Sequence, residues 1–357
     1  MKIHSLKIQN FRAIENSTFD FTDSLSQPKK INLIVGPNGS GKTSVLDAIL
    51  MGVRLLENPL KPRLRDALEF SVAQIVRGSG SPAKIEFEYE RSEDEARAIN
   101  DVFTALEKEP PFRFNQNEAP ISTPALVVWT YPKKGHFYGH RNFSVESANS
   151  LTEVLGARGQ IAEAVSQKLI PPSLFQRVGG VCYLEQRREL KPIKNLSLEP
   201  LEKLPFDDVL SWLSVYYRKH FNWNTDKYGE SYWHQIQRLF NQVCFPVKLI
   251  RLESGPDFDT LIVEKNHTEY DLLQMSSGEH QVLRILVGMV AEVAINSIVL
   301  IDEVELHLHP VWQERLIETL REEPFNNQYI FTTHSPIVQQ LFFENEIIEL
   351  GELGEPQ

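Results

Sequence analysis

The segment that most constrains the fold is GPNGSGKT, residues 36–43. It follows a short, wholly apolar run, INLIV, and precedes a stretch in which apolar residues recur at helical spacing from residue 45 to 56. A buried strand, a glycine-rich loop and an amphipathic helix are the context in which G-x-x-x-x-G-K-[ST] binds phosphate. Loop amides and the helix N-terminus would surround the oxygens, Lys42 would reach the β- and γ-phosphates, and Thr43 would offer a hydroxyl to magnesium. The predicted contacts of this loop with nucleotide are Gly36, Pro37, Asn38, Gly39, Ser40, Gly41, Lys42, Thr43 and Ser44.

Two further segments end apolar runs with polar residues that suit triphosphate hydrolysis. Asp302 and Glu303 close the run SIVLI, residues 297–301. At the end of a strand beside the phosphate loop, Asp302 would hold magnesium, and Glu303 would orient and deprotonate the attacking water. His334, in TTHSP after the apolar run QYIF, would contact the γ-phosphate or that water. Lys42, Glu303 and His334 are therefore the predicted catalytic residues.

The segment MSSGEHQ, residues 275–281, precedes the apolar stretch VLRILVGMV and is typical of a helix N-terminus. Serine accepts hydrogen bonds from the amides of a first turn, and glycine tolerates a close approach. A plain cap needs one such residue, whereas this segment has several. The local pattern alone does not say what its amides bind.

A possible metal site lies in ELHLHP, residues 305–310. Glu305, His307 and His309 offer the side-chain types that bind zinc. Because the segment directly follows Glu303, we favour a contact between subunits, with a metal site as the alternative.

Composition bounds the class of protein. The 357 residues carry a net charge of −11, which argues against a generally basic nucleic-acid coat, although local basic clusters could touch phosphates. Two cysteines are too few for a disulfide framework. The N-terminus alternates like a strand and lacks a signal core, and the longest apolar run is too short to span a membrane. We expect a cytoplasmic protein with no membrane contact.

Taken in order, GPNGSGKT, MSSGEHQ, IDEVELHLHP and TTHSP resemble the motifs of the ATP-binding-cassette (ABC) ATPases of the RecF, SMC and OLD branch. The likeness covers roughly residues 1–56 and 268–340, and the middle only in its plan. It implies ATP and Mg²⁺ as cofactors and a homodimer, or a higher oligomer, that sandwiches ATP. In that arrangement MSSGEHQ is the signature segment, which contacts the ATP held by the other subunit through Ser276, Ser277, Gly278 and Glu279.

The resemblance also suggests two contacts outside the main motifs. Arg12, in the NFR segment, is similar to an arginine near the nucleotide, and Gln186 is the best candidate for the family's magnesium-binding glutamine. Val304 departs from the family, in which a proline often follows the two acids. We expect this change to alter the loop and to leave the chemistry intact.

The predicted fold class is α/β, a P-loop NTPase of the ABC-ATPase type whose mixed sheet is built from both ends of the chain. Residues 1–90 would form an N-terminal ATPase lobe, residues 91–245 a mainly helical insert, and residues 246–357 a C-terminal ATPase lobe. Within the insert, residues 151–169 are expected to be helical. The aromatic-rich residues 206–245 predict a helical lobe with an aromatic core, and a base-stacking platform is the alternative.

The sequence constrains the biological role of the ATPase less than it constrains the ATPase activity. The resemblance favours the ATPase subunit of a bacterial anti-phage defence system that acts with a separate effector, such as a nuclease or toxin. Only 21 residues follow Pro336, too few for the TOPRIM nuclease of larger relatives. The alternative is a RecF-like DNA-repair ATPase that clamps DNA, so nucleic acid is a possible partner. A third hypothesis is an assembly scaffold that binds ATP with little turnover.

Overall fold

The structure is a computed structural model that describes residues 1–57, 74–78, 81–90, 92–106, 125–132, 144–147, 179–184, 209–255, 259–291 and 295–351. The chain divides into two compact units. The first unit comprises Met1–Tyr183, Ala294–Asp302 and Phe325–Gln357. The second comprises Leu184–Val293 and Glu303–Pro324.

The first unit contains an antiparallel sheet of five strands in the order β2-β1-β4-β5-β6. The strands are β1 (Lys2–Phe11), β2 (Ile14–Asp20), β4 (Ala83–Glu90), β5 (Ala125–Tyr131) and β6 (Ser144–Ser147). Side chains alternate along β4, so that Ile85, Phe87 and Tyr89 are buried while Glu88 is exposed. This period of two is what a strand with one buried face requires.

A second five-stranded sheet of the first unit carries the chemistry. Its order is β13-β3-β12-β11-β7, and its strands come from near both ends of the chain, except β7, which comes from the middle. They are β3 (Ile31–Val35), β7 (Val181–Leu184), β11 (Ile298–Ile301), β12 (Gln328–Thr333) and β13 (Ile347–Glu349). Strands β3 and β12, β11 and β12, and β3 and β13 pair in parallel. The side chains of β3, β7, β11 and β12 are buried throughout, as in a parallel sheet covered on both faces.

Helix α1 (Lys42–Glu57) follows the phosphate loop, and its buried residues join the core of the first unit. Gly52 permits this packing, because a Cβ atom there would lie 2.9 Å from Cε1 of Phe87. A second helix, α2 (Glu93–Leu106), has three acidic residues in its first turn, where negative charge interacts favourably with the helix dipole.

The second unit combines helices with a three-stranded antiparallel sheet in the order β10-β9-β8. The strands are β8 (Lys248–Ser254), β9 (Asp259–Lys265) and β10 (Thr268–Asp271). The helices are α3 (Val209–His220), α4 (Thr225–Tyr228), α5 (Tyr232–Val243), α6 (Ser277–Ala291) and α7 (Pro310–Glu322). A short helix of the first unit, α8 (Pro336–Gln339), follows His334 and Ser335.

The aromatic residues of the second unit mostly build its core. Tyr216 and Trp233 are buried, and the ring centroids of Tyr217 and Trp233 are 4.7 Å apart at 70°, an edge-to-face contact. Phe221 and Tyr228 remain exposed. The predicted aromatic core is confirmed for Tyr216, Tyr217 and Trp233, whereas Phe221 lies outside it.

One feature of the predicted plan needs correction: the antiparallel and parallel strands lie in separate sheets and not in one mixed sheet. Strands β5, β6 and β7, which lie within residues 91–245, belong to the two sheets of the first unit. The division into two ATPase lobes and a mainly helical insert stays a prediction. The helix expected over residues 151–169 lies outside the described residues. Among the helices that are described, none is long and apolar enough to cross a bilayer.

Candidate ATP site

The phosphate loop lies between β3 and α1, and two of its glycines require a left-handed backbone. Gly39 has φ 81° and Gly41 has φ 102°, values that an L side chain rarely adopts. A Cβ atom on Gly41 would also approach Cγ1 of Ile14 to 3.0 Å. The amide of Ser40 donates to the carbonyl of Pro37 at 3.2 Å, which closes the loop before the helix begins. Backbone geometry, and not side-chain chemistry, therefore fixes these glycine positions.

Lys42 lies at the first position of α1, and its side chain turns back over the loop. Its Nζ atom donates to the carbonyl oxygens of Gly36 and Pro37 at 2.8 and 3.0 Å. The side chain is nearly buried, with 5% of the residue exposed. These contacts hold the ammonium group beside the backbone that is predicted to surround the β- and γ-phosphates.

Asp302, directly after β11, accepts hydrogen bonds from two threonine hydroxyls, one at the start of α1 and one in β12. Thr43 donates to Oδ2 at 3.1 Å, and Thr332 of β12 donates to Oδ1 at 2.6 Å. The carboxylate and the Thr43 hydroxyl are hard oxygen ligands of the kind that magnesium prefers. The residues present therefore fit a magnesium ion held by Thr43 and Asp302.

His334 follows β12 on the same edge of the parallel sheet, and its Nδ1 atom lies 3.3 Å from Nζ of Lys42. A lysine ammonium group can only donate, so Nδ1 is the acceptor in this contact. The second ring nitrogen, Nε2, is then the one that carries the proton and can donate to a phosphate oxygen. His334 is exposed, as such a contact requires.

Arg12 joins this group of charged residues from the turn between β1 and β2. Its guanidinium group forms an ion pair with Asp47, a buried residue on α1. Burial lowers the pKa of Arg12 from its ordinary value, and the neighbouring Tyr183 and Asp302 oppose that shift. Arg12 thus interacts electrostatically with the helix after the phosphate loop and with Asp302, the aspartate predicted to bind magnesium.

The signature segment, residues 275–281, lies in the second unit and leads into α6. Ser276 and Glu279 form a capping box: the Ser276 amide donates to Oε2 of Glu279 at 2.5 Å, and the Glu279 amide faces Oγ of Ser276 at 3.3 Å. The sequence predicts Glu279 as a nucleotide contact, whereas the structure engages its carboxylate in this cap. Ser276 and Ser277 are exposed at the helix N-terminus.

Gly278 allows the signature segment to approach the loop that follows Glu303 within the second unit. A Cβ atom on Gly278 would lie 2.7 Å from the carbonyl oxygen of His307 and 3.2 Å from the Trp312 ring. His309 is the N-cap of α7, and its side chain accepts from the Val311 amide at 3.3 Å. In the part of the chain that is described, no group of three histidine, cysteine, aspartate or glutamate residues is arranged to hold a metal ion.

For the other predicted site residues, the structure gives fewer contacts or none. Glu303 follows Asp302 directly in the chain, has φ 47°, and accepts the Leu306 amide through its carbonyl at 2.9 Å. Val304, at the position where a proline often stands in the family, is buried. Gln186 lies outside the described residues. The assignments of Glu303 as base and Gln186 as metal ligand stay predictions.

Sequence reasoning missed Thr332, Asp47 and Tyr270. Thr332 lies within TTHSP, and the alternation of a strand end could have directed attention to it. Asp47 and Tyr270 carry no local signal, because their partners Arg12 and Glu279 are recognised only once the chain is folded.

Comparison with known proteins identifies the family. Residues 157–338, just over half of the chain, match the family model described as "AAA domain, putative AbiEii toxin, Type IV TA system". The chain belongs to this family of ATPases. A second model, described as "AAA domain", matches residues 5–168. Together the two matches cover all four motifs and show an ATPase of the ABC class.

Two curated relatives align along nearly the whole ATPase. It is 23% identical to "Retron Ec83 probable ATPase" of Escherichia coli, over 95% of this chain and 69% of the relative. It is 24% identical to "Septu protein PtuA" of Bacillus thuringiensis, over 98% of this chain and 76% of the relative.

The chain also aligns with a solved structure of an SMC head bound to the C-winged helix domain of ScpA. The alignment covers 98% of this chain and 94% of the SMC head. The TM-score is 0.55 at 15% identity, which establishes a common fold. The predicted P-loop fold of the ABC type is thereby confirmed.

Proposed function

We propose that this ATPase works in the cytoplasm as a head-to-tail homodimer that sandwiches two ATP molecules. We further propose that it is the sensor or regulatory subunit of a bacterial anti-phage defence system with a separate effector, such as a nuclease or toxin. The observation that carries the first part is the convergence of Lys42, Thr43, Asp302 and His334 at one edge of the parallel sheet. That edge would provide the phosphate and magnesium contacts that come from one chain.

The other half of each ATP site would come from the partner's signature segment. The capping box occupies the amides of Ser276 and Glu279 and leaves the exposed first turn of α6, at Ser277, directed to solvent. A helix N-terminus attracts anions through its amides and its dipole. A two-fold axis then relates two equal contacts, each between one chain's phosphate loop and the other chain's signature segment.

The residues of each chain divide the hydrolytic work. Lys42 and the Nε2 proton of His334 would stabilise charge on the γ-phosphate, and Glu303 would orient and deprotonate the attacking water. A magnesium ion on Thr43 and Asp302 would neutralise phosphate charge when bound.

The defence role rests on the relatives. Both curated relatives described above carry names of bacterial retron and Septu systems, and both align along nearly the whole chain. The net charge of −11 gives no support to the alternative of a RecF-like clamp, because binding to duplex DNA depends on neutralising phosphates.

Ser276→Arg tests the shared site. The substitution alters an exposed residue, so the variant should fold and bind ATP at its own phosphate loop. The bulky cation would block the partner, and ATP-dependent dimerisation and hydrolysis should fail together. Sedimentation velocity with a non-hydrolysable ATP analogue, and phosphate release, measure the two effects.

Mixing Ser276→Arg with Lys42→Ala sharpens this experiment. A mixed dimer has one composite site with both defects and one with neither, so activity should partly return on mixing. Full activity of Ser276→Arg alone, at concentrations where the wild type dimerises, would falsify the shared site and reduce MSSGEHQ to a helix cap.

A further inference from the structure

The carboxylate of Glu279 connects the signature segment to the strand that precedes it. Oε2 accepts the Ser276 amide at 2.5 Å, and Oε1 accepts the hydroxyl of Tyr270 at 2.7 Å. Glu279 is buried, with 5% of the residue exposed. A buried carboxylate needs donors for both oxygens, and here each oxygen has a different one.

Tyr270 is itself held in place by β10. It pairs with Val263 of β9 in the antiparallel ladder, so its backbone belongs to the sheet of the second unit. Two more hydrogen bonds tie the intervening turn: the Leu273 amide donates to Oδ1 of Asp271 at 3.0 Å, and Nε2 of His280 lies 3.0 Å from the Leu272 carbonyl. The segment between β10 and the first turn of α6 is therefore short, and hydrogen bonds hold it at both ends.

We infer that Tyr270 is a positioning residue for the ATPase: through Glu279, it sets the position at which the Ser276 hydroxyl and the first amides of α6 meet the partner's ATP. The inference rests on the proposed function, because it assumes that the signature segment contacts the ATP bound by the partner subunit. It assigns a role to a residue that lies outside all four motifs.

The chemistry explains why this carboxylate needs a second donor. A glutamate in the first turn of a helix N-terminus lies near the place where a phosphate anion would bind, and two negative charges repel. With both oxygens bonded, the carboxylate is turned inward and leaves the outer amides to the phosphate. If the Tyr270 hydroxyl is lost, Oε1 is left without this donor, and the carboxylate can rotate and release the Ser276 amide.

The hydroxyl is a dependable donor at working pH. Burial raises the pKa of Tyr270 above its ordinary value, and the hydrogen bond to Glu279 raises it further. Tyr270 therefore stays protonated throughout the pH range 6 to 9, and the effect of removing its hydroxyl should be the same across that range.

Tyr270→Phe is the direct test, with Tyr228→Phe as the matched control on an exposed tyrosine of the same unit. Dimerisation is measured by sedimentation velocity with a non-hydrolysable ATP analogue, and turnover by phosphate release over a range of protein concentrations. Tyr270→Phe should weaken analogue-dependent dimerisation about 10- to 100-fold, as expected for one hydrogen bond to a charged group. Analogue binding by the monomer should match the control, and thermal stability should fall by no more than the loss of one hydrogen bond to a buried carboxylate explains.

A double-mutant cycle with Glu279→Gln separates positioning from general packing. If Tyr270 acts only through the Glu279 carboxylate, the double variant should dimerise no more weakly than Glu279→Gln alone. Additive effects of the two substitutions would overturn the inference, as would wild-type dimerisation of Tyr270→Phe. If Tyr270→Phe unfolds, the comparison of Glu279→Gln with wild type still decides whether this carboxylate sets dimer affinity.

Ser276→Arg, measured in parallel, shows whether a negative result concerns only the role of Tyr270 or the shared ATP site as a whole. If Ser276→Arg abolishes dimerisation while Tyr270→Phe has no effect, the shared site stands and only the role of Tyr270 is wrong. If neither substitution weakens dimerisation, the shared site itself is wrong, and the role of Tyr270 falls with it.

Discussion

At the scale of single residues, Lys42 combines near-complete burial with a fixed direction. Its ammonium group donates to two carbonyl oxygens of its own loop, so little conformational entropy remains to be lost when a phosphate binds. The same contacts stabilise the loop through a charged hydrogen-bond donor. Lys42 therefore stabilises the loop and is positioned for its predicted contact with phosphate.

Lys42→Ala should weaken ATP binding at least about tenfold, because it deletes a direct, charge-assisted contact with phosphate. Isothermal titration calorimetry measures the affinity. Lys84→Ala is the matched control, since it removes the same charge from β4 of the same unit, where Lys84 pairs with Glu86. Equal ATP affinity of Lys42→Ala and the control would show that the phosphate loop has been misassigned.

Thr332 makes a second residue-scale contribution, which is to orient Asp302. Its buried hydroxyl is 2.6 Å from Oδ1 of Asp302, while Thr43 approaches Oδ2. Groups that orient a metal ligand change metal affinity by about 10- to 100-fold when removed. The hydroxyl has no other predicted function, so its loss should affect magnesium more than ATP.

Thr332→Val keeps the branched shape and removes the hydroxyl. We expect the magnesium concentration for half-maximal ATPase activity to rise about tenfold or more, with the activity at saturating magnesium reduced less. Thr319→Val is the control, since the buried Thr319 hydroxyl has no hydrogen-bond partner among the described residues. An unchanged magnesium dependence would remove Thr332 from the site.

At the scale of elements, the entrance of α6 is packed against the loop between β11 and α7. Gly278 faces the His307 carbonyl at a distance that leaves no room for a methyl group, and the Trp312 ring lies just beyond. Because a carbonyl oxygen of the backbone cannot rotate away like a side chain, any larger residue must move one of the two segments. Through this contact, the position of the signature segment depends on the position of the loop that carries Glu303 in the same chain.

Gly278→Ala should therefore destabilise the second unit by about 1–3 kcal/mol, the usual cost of overpacking a close contact. It should also weaken ATP-dependent dimerisation, because the first turn of α6 shifts outward. Thermal unfolding and sedimentation velocity measure the two effects. A variant with unchanged stability and unchanged dimerisation would mean that the contact is loose in solution.

At the scale of the whole molecule, the ATPase has a site for ATP on one unit and the segment proposed to read the partner's ATP on the other. Neither unit carries, in its described residues, a metal-binding cluster of the kind a nuclease uses. In the proposed function, ATP changes the association state of the molecule, and this change is passed to another protein.

The purified ATPase should accordingly cleave neither DNA nor RNA with Mg²⁺, Mn²⁺ or Zn²⁺, and should gain nuclease or toxic activity only with a partner chain. Gel assays on labelled single- and double-stranded substrates test this, with Lys42→Ala as the control for contaminating nucleases. Metal-dependent cleavage by the pure wild type, lost when acidic residues of the region 91–245 are replaced, would contradict the effector hypothesis.

The sequence by itself determined the chemistry and the fold family. Each motif is a short contiguous segment in which local backbone demands and side-chain chemistry coincide, as at Gly39, Gly41 and Lys42. The apolar runs before these motifs also identified the strands, since a parallel strand buried on both faces is apolar throughout. The meeting of Thr43, Asp302 and His334 followed because parallel strands end at one edge of the sheet.

Only the tertiary structure decided which distant residues pair. The division into separate sheets, the strands within residues 91–245 and the ion pair of Arg12 with Asp47 depend on contacts between segments far apart in the chain. Glu279 is the clearest case: its local pattern suits both a phosphate contact and a helix cap, and the hydroxyl of Tyr270 on a neighbouring strand fixes its carboxylate inward. The spacing of residues in the sequence indicates which interactions a residue can make. Tertiary packing determines which of its possible partners lies close enough to contact.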